Sequence, residues 1–141
     1  MSYYLDTSAV VSALTQEQTT LQIQAWLEEH ADDHLLISEW VKTEFSSALS
    51  IKMRTNQIDA RLREVARAEF NRLCVDSFTT LPVTSGNFSA AAAFADRYDL
   101  VLRASDALHL AIAKEYGATI CSFDRRLVGA ASALNIPTVT P

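Results

Sequence analysis

The sequence is poor in the residues that form turns. It has only three glycines and three prolines among 141 residues, whereas loop-rich and all-β proteins use many of both. Hydrophobic residues make up 49% of the chain and charged residues 21%, which is ordinary for a globular protein. We therefore expect one domain, residues 1–141, that consists mostly of regular elements and is large enough to bury a core.

Clustered cysteines and long apolar runs are also absent. Cys74 and Cys121 lie far apart within apolar segments and form no zinc-binding pattern with histidine, as is typical of reduced thiols in a protein core. No segment approaches the roughly 18 uninterrupted apolar residues of a membrane helix, and no signal-peptide pattern is present. These absences predict a cytoplasmic protein without membrane contact.

An overall positive charge, which nucleic-acid-binding domains usually carry, is missing as well: the net charge is −5. The charge is unevenly distributed, because seven of the 12 basic residues lie between Lys42 and Arg72. This basic group is either a surface that binds RNA or the solvent-exposed side of two helices, and the sequence does not separate these interpretations.

Short apolar segments alternate with segments of helical periodicity. Strands are predicted at residues 3–5, 35–37, 81–83, 118–123 and 137–139, and helices at 9–14, 21–29, 39–53, 58–74, 87–98, 105–116 and 125–134. Strands that alternate with helices indicate a parallel sheet covered on both faces. The expected fold is a three-layer α/β/α sandwich with a short, mainly parallel sheet of five strands.

Two aspartates directly follow predicted strands. Asp6 comes after the strand at 3–5, and Asp124 comes after the strand at 118–123. In an open parallel sheet, the ligand crevice lies beyond the carboxyl ends of the strands. Both residues are therefore candidates for a shared site, and the alternative for each is that it only caps the following helix.

Two further acids fall within apolar patterns on predicted helices. Glu44 shares a helical face with Val41 and Phe45, and Asp106 opens a helix whose next residues are apolar nearly all round. Glu44 is either part of an acidic site or paired with an arginine in a structural ion pair. The alternative for Asp106 is a favourable interaction with the helix dipole.

The sequence thus offers four carboxylates for one crevice, Asp6, Glu44, Asp106 and Asp124. Clustered carboxylates repel one another unless cations neutralise them, and oxygen ligands select Mg²⁺ or Mn²⁺ over zinc. No arrangement of Cys and His with the spacing of zinc ligands competes with this interpretation.

Four segments resemble the signature blocks of PIN-domain ribonucleases, most closely the VapC-type toxins of bacterial toxin–antitoxin pairs. The segments are residues 4–9 (YLDTSA), 41–44 (VKTE), 102–111 (LRASDALHLA) and 122–127 (SFDRRL). The resemblance spans the chain in the right order. It implies the same α/β/α fold, dependence on Mg²⁺ or Mn²⁺, and endonucleolytic cleavage of RNA to a 5′-phosphate and a 3′-hydroxyl. It also implies a homodimer and a small cognate antitoxin of the VapB type.

In this interpretation, Asp6, Asp106 and Glu44 are metal ligands, and Asp124 holds a second ion or orients the attacking water. The alternative function is a catalytically weak PIN-like module that binds RNA or a protein. A phosphotransfer enzyme of the haloacid-dehalogenase type is disfavoured, because Asp6 is not followed by a DxDxT-type pattern.

Several neighbours of the acids remain ambiguous in the sequence. Thr7 and Ser8 either cap the first helix or contact a metal-bound water, and His109 is favoured as a hydrogen-bonded core residue over a metal ligand. The basic side chains beside the acids either contact RNA phosphates or form ion pairs; these are Arg103, Arg125 and Arg126.

Overall fold

The computed structural model describes all 141 residues. The strands are β1 (Ser2–Leu5), β2 (His34–Ser38), β3 (Phe78–Leu81), β4 (Thr119–Cys121) and β5 (Thr138–Val139). The helices are α1 (Thr7–Leu14), α2 (Thr20–Glu29), α3 (Glu39–Arg54), α4 (Ala60–Asp76), α5 (Ser85–Ala95), α6 (Ala104–Glu115) and α7 (Arg125–Ala133), with a short 3-10 helix at Tyr98–Leu100. None of the helices combines the length and the apolar character that a membrane crossing requires.

The five strands form one parallel sheet in the order β3-β2-β1-β4-β5. The central strand β1 is paired on both sides, so that Tyr4 lies beside Leu36 of β2 and Ile120 of β4. The first two crossovers step in one direction along the sheet and the last two step in the other. Right-handed crossovers therefore put α1–α4 on one face and α5–α7 on the opposite face, which confirms the predicted three-layer α/β/α sandwich.

The apolar side chains between the layers form one core cluster of 34 buried residues. Helix α6 is the most enclosed helix, since every residue from Asp106 to Ala113 is buried. It ends at Glu115, and Gly117 follows in the left-handed conformation, with φ of 62°. Gly117 thus ends the helix in the conformation that glycine adopts readily at helix C-termini.

Two predicted elements are displaced by three residues at one end. The third strand was expected at residues 81–83, but it occupies Phe78–Leu81 in register with β2. Pro82 cannot donate a ladder hydrogen bond, so the strand ends before it. The fifth helix was expected to reach Tyr98 but ends at Ala95, and Tyr98 instead begins the short 3-10 helix.

The first two helices also differ from the predictions in detail. Helix α1 is capped by neither Thr7 nor Ser8 but by Asp6, whose carboxylate accepts a hydrogen bond from the Ala9 amide. On α2, Leu21 is 80% exposed. The core contact of α2 is instead made by Ile23 and Trp26.

Candidate active site

The four acids selected from the sequence line one polar pocket at the carboxyl ends of β1 and β4. The pocket has a volume of about 220 Å³, and none of its nine lining residues is hydrophobic. Asp6 follows β1, Asp124 follows β4, Glu44 lies on α3 and Asp106 lies in the first turn of α6. The other lining residues are Thr7, Ser8, Arg103, Ser105 and His109. Four elements that are distant in sequence thus contribute acids to one small volume.

Asp6 is the most enclosed of the four acids, with 3% of its surface exposed. Its carboxylate accepts hydrogen bonds from the Ser8 hydroxyl at 2.7 Å, the Ala9 amide at 3.0 Å and the Ser122 hydroxyl. Burial raises the pKa of Asp6 above its ordinary value of 3.8, and the nearby His109 and these donors offset only part of the rise. Asp6 is therefore held in place by neutral groups that do not balance its charge.

Glu44 is tied to three side chains from two other helices. It accepts hydrogen bonds from Thr7 of α1 at 2.7 Å and from Ser105 and His109 of α6. Burial alone raises the pKa of Glu44, but His109, Ser105 and Thr7 together outweigh this effect and lower the pKa to about 2. No arginine contacts Glu44, so the structural ion pair considered for it is replaced by a histidine contact.

A buried hydrogen-bond chain connects Glu44 to the sheet. The Tyr4 hydroxyl lies 2.8 Å from Nδ1 of His109 and 2.8 Å from Oγ of Ser38, while Nε2 of His109 contacts Glu44. An ionised Glu44 has no proton to give, so Nε2 of His109 is the donor in that contact. His109 is therefore a buried, hydrogen-bonded residue, as the sequence favoured, and it also positions one of the acids.

Asp106 and Asp124 share a single basic partner, Arg103. Its Nε lies 3.2 Å from Oδ2 of Asp106, and its Nη2 lies 3.1 Å from Oδ2 of Asp124. The hydrogen bond with Asp106 raises the pKa of the Arg103 guanidinium above its ordinary value, and the charges of both carboxylates add to this effect. Of the three arginines left open in the sequence, this one forms ion pairs, whereas Arg125 and Arg126 do not line the pocket.

The helix-capping alternatives are correct for both strand-end acids, but they do not exclude a place in the pocket. Asp124 caps α7 through Oδ1, which accepts from the amides of Arg126 at 3.0 Å and Leu127 at 3.3 Å. Its other oxygen, Oδ2, faces Arg103. Asp6 likewise caps α1 while it lines the pocket. A carboxylate has two oxygens, so one residue serves both purposes.

Sequence reasoning missed Ser105 and Tyr4 as parts of the site. Ser105 and His109 are four residues apart on α6, which places them on the same helical face, and both contact Glu44. The spacing of four residues could therefore have indicated that Ser105 belongs to the same site as His109. Tyr4 gave no such signal, because its place in a strand resembles that of any core aromatic residue.

Three of the seven basic residues between Lys42 and Arg72 pair with acids of their own helices, and Lys52 pairs with Glu17. Lys42 pairs with Glu39, Arg67 with Glu64, and Arg72 with both Glu69 and Asp76. Such pairs on one helix favour the interpretation of a solvent-exposed side over that of an RNA-binding surface.

The donor atoms of the pocket fit a hard divalent cation in type. Four carboxylates supply the oxygen ligands that Mg²⁺ and Mn²⁺ prefer. In this structure, however, no group of three or more His, Cys, Asp or Glu residues is arranged so that it could hold a metal ion. The carboxylates are instead oriented toward donors of the protein. Asp6 and Glu44 face hydroxyl groups, and Asp106 and Asp124 face Arg103.

Similar folds occur among solved structures. VapBC2 from Rickettsia felis, bound to a DNA fragment from their promoter, is 15% identical, with 99% of this chain and 98% of that chain covered and a TM-score of 0.75. FitAcB from Neisseria gonorrhoeae is 18% identical, with coverages of 96% and 95% and a TM-score of 0.72. The Sarcin-Ricin loop cleaving toxin VapC20 from Mycobacterium tuberculosis is 20% identical, with both coverages at 99% and a TM-score of 0.74.

Fold and pocket together define an α/β/α protein with an acidic crevice at the carboxyl edge of a parallel sheet. The PIN domain family matches residues 3–132 of the chain, and the chain belongs to that family. No curated protein matches the chain significantly. The family resemblance seen in the four sequence segments is thereby confirmed.

Proposed function

We propose that this protein is an endoribonuclease that depends on Mg²⁺ or Mn²⁺ and acts as the toxin of a type II toxin–antitoxin pair. The observation that carries the proposal is the convergence of Asp6, Glu44, Asp106 and Asp124 on one polar pocket in a PIN domain. Four acids so close together repel one another, and a bound cation relieves that repulsion.

A divalent cation held by these four carboxylates would supply an activated water and stabilise the charge on the leaving oxygen of a phosphodiester. The residues around the acids would orient the carboxylates toward such a cation. Ser8 and Ser122 hold Asp6, whereas Thr7, Ser105 and His109 hold Glu44. Such outer contacts fix the orientation of ligating side chains and tune their affinity for the ion.

The partners follow from the class of proteins that the chain resembles. VapC20 is a Sarcin-Ricin loop cleaving toxin, and VapBC2 is a toxin–antitoxin complex. Their similarity to this chain supports an RNA substrate and a cognate antitoxin of the VapB type. The resemblance to VapC-type toxins further supports a homodimer and a cytoplasmic location.

A binding module without strong catalysis is the second candidate function. This function is favoured because the acids of the pocket already contact donors of the protein itself, and no three of them are arranged as ligands of one metal ion. In that case the protein acts by occupying RNA or a partner protein, and divalent cations are not needed for this binding.

A cleavage assay with purified, antitoxin-free protein distinguishes the two functions. Wild-type protein is expected to cut ribosomal RNA in the presence of Mn²⁺ and to stop when the ion is chelated. Asp6→Asn and Asp106→Asn should lose cleavage, because each removes a ligand charge and keeps the side-chain shape. The matched control is Asp99→Asn, since Asp99 is an exposed acid that pairs with Arg97 outside the pocket.

Two results would count against the nuclease. If Asp6→Asn and Asp106→Asn cut RNA as well as wild type at the same Mn²⁺ concentration, the acids do not hold the required ion. If wild type binds RNA equally well with and without Mn²⁺ but never cuts it, the binding module is the better description.

A further inference from the structure

Arg103 is the only arginine or lysine that lines the acidic pocket. Its guanidinium lies between two carboxylates that come from different elements, Asp106 of α6 and Asp124 before α7. The atoms it contacts, one Oδ2 on each aspartate, are oxygens that a divalent cation would use. Arg103 therefore supplies the positive charge that faces these two carboxylates.

The hold of Arg103 on these carboxylates is weak. Its side chain is 64% exposed, whereas the side chain of Asp106 is 7% exposed and that of Asp124 is 23% exposed. Water therefore screens the guanidinium end of both ion pairs, which lowers their contribution to stability. Arg103 also precedes the first residue of α6, and its side chain makes no hydrogen bond that caps the helix. The guanidinium is thus free to leave without loss of a core contact.

The other two acids are held differently. Asp6 and Glu44 are bound by hydroxyls, an amide and His109, which orient their oxygens, and neither contacts an arginine or a lysine. The Oδ2 atoms of Asp106 and Asp124 are the oxygens that Arg103 contacts. A divalent ion that bound through these two oxygens would compete with the guanidinium and would therefore move Arg103.

We propose that Arg103 is a displaceable internal cation, which neutralises Asp106 and Asp124 until a divalent ion replaces it and which then binds a phosphate of the RNA. This inference rests on the proposed function. The displaced side chain stays attached at the start of α6, beside the pocket that it lines. Its planar group of five N–H donors suits the oxygens of a phosphate.

The proposal predicts opposite effects of one substitution on two affinities. Arg103→Gln should bind Mn²⁺ about fivefold more tightly than wild type in isothermal titration calorimetry without RNA, since the competing ion pairs are gone. The same variant should show a KM for RNA raised about tenfold at saturating Mn²⁺, with little change in kcat, because a charged hydrogen bond to the substrate is lost. Arg103→Lys keeps the charge and should bind Mn²⁺ nearly as wild type does.

Arg97→Gln is the matched control, because Arg97 pairs with Asp99 in a similar exposed ion pair outside the pocket. It should leave both affinities unchanged. A Mn²⁺ affinity of Arg103→Gln that equals or falls below that of wild type would overturn the competition, and an unchanged KM would overturn the contact with RNA.

A second measurement uses the wild-type protein, so its result does not depend on whether a variant folds. In ¹H–¹⁵N NMR spectra, the Nε–Hε signal of Arg103, identified by its absence in Arg103→Lys, should shift on titration with Mg²⁺, while the Arg97 signal stays in place. A stationary Arg103 signal at saturating Mg²⁺ contradicts displacement. The proposed function fails separately, namely if wild type binds no Mn²⁺ or if Asp106→Asn binds it as strongly as wild type.

Discussion

Asp6 and Glu44 share one pocket but differ in how their negative charge is balanced. Glu44 contacts His109 and two hydroxyls, and its pKa falls to about 2 despite partial burial. Asp6 accepts hydrogen bonds only from neutral donors and is nearly inaccessible, so burial raises its pKa. Asp6 is consequently the acid that gains most from a bound cation, and it destabilises the fold while no cation is present.

Asp6→Asn is therefore expected to stabilise the metal-free protein at neutral pH, by about 1 kcal/mol, a usual size for one stabilising substitution. The folded state holds the Asp6 proton more tightly than the unfolded chain does, so wild type loses stability as the pH rises above the unfolded pKa of 3.8. The advantage of the variant should hence disappear well below pH 3.8. Urea denaturation at neutral pH and well below pH 3.8 measures the difference in unfolding free energy between Asp6→Asn and wild type, with Asp99→Asn as the control. An Asp6→Asn variant that is less stable than wild type at neutral pH would contradict this account.

Tyr4 carries the hydrogen-bond chain between the sheet and the pocket. Tyr4→Phe removes only the hydroxyl and leaves Ser38 and Nδ1 of His109 each without that partner in a fully buried position. We expect the free energy of unfolding to fall by about 2 kcal/mol, since unpaired buried polar groups are costly. Urea denaturation is the measurement. Tyr98→Phe is the control, because Tyr98 is 91% exposed. Equal urea midpoints for the two variants would argue against a stabilising hydrogen-bond chain through Tyr4.

At the scale of single elements, the start of α7 combines folding and function in one residue. Asp124 ends the turn after β4, caps α7 with one oxygen and faces the pocket with the other. A short strand followed by a capped helix is a stable local arrangement in its own right. The acid at this position is therefore explained without any metal, and only a comparison of substitutions separates its two roles.

Asp124→Asn and Asp124→Ala should differ in stability but agree in metal binding. Asparagine is a good helix cap and alanine is not, so only the alanine variant should lose about 1 kcal/mol of unfolding free energy. Both should bind Mn²⁺ more weakly in calorimetry. Asp59 offers the matched control, since it caps α4 in the same way outside the pocket, and Asp59→Ala should lose stability while its Mn²⁺ affinity stays unchanged. Normal Mn²⁺ affinity in Asp124→Asn would leave Asp124 with a capping role alone.

At the scale of the whole molecule, the strand order creates the pocket. The chain moves from β1 to β2 and β3 on one side and then returns to β4 on the other side of β1. This reversal leaves a crevice at the carboxyl ends of the two central strands, where Asp6 and Asp124 follow β1 and β4. Helices α3 and α6, one from each face of the sheet, bring Glu44 and Asp106 to the same place.

A cation bound by acids from four elements should stabilise the entire fold. We expect Mn²⁺ at a free concentration 100 times its Kd to add about 2.7 kcal/mol to the free energy of unfolding, which corresponds to a rise in Tm of about 8 °C for a domain of this size. Thermal unfolding followed by circular dichroism measures the shift. Asp6→Asn should show little of it, and a wild-type Tm that stays constant up to millimolar Mn²⁺ would exclude a site shared by the folded elements.

Much of the fold was predictable because its signals are local. Apolar strands that alternate with helical segments indicated the α/β/α sandwich, and Asp124 marked the start of α7 as a possible cap. The errors arose where a neighbouring residue changed a boundary. Pro82, for example, ended β3 early.

The sequence by itself determined which four acids belong together, since each stood in a place where an unbalanced charge is unfavourable. The sequence did not determine which groups balance the negative charges of these acids. Arg103 and Asp124 are 21 positions apart, Glu44 and His109 are 65 positions apart, and Tyr4 and His109 are 105 positions apart. Only the tertiary structure decides such contacts, because hydrogen bonds and ion pairs depend on distances of a few ångströms that local patterns do not encode.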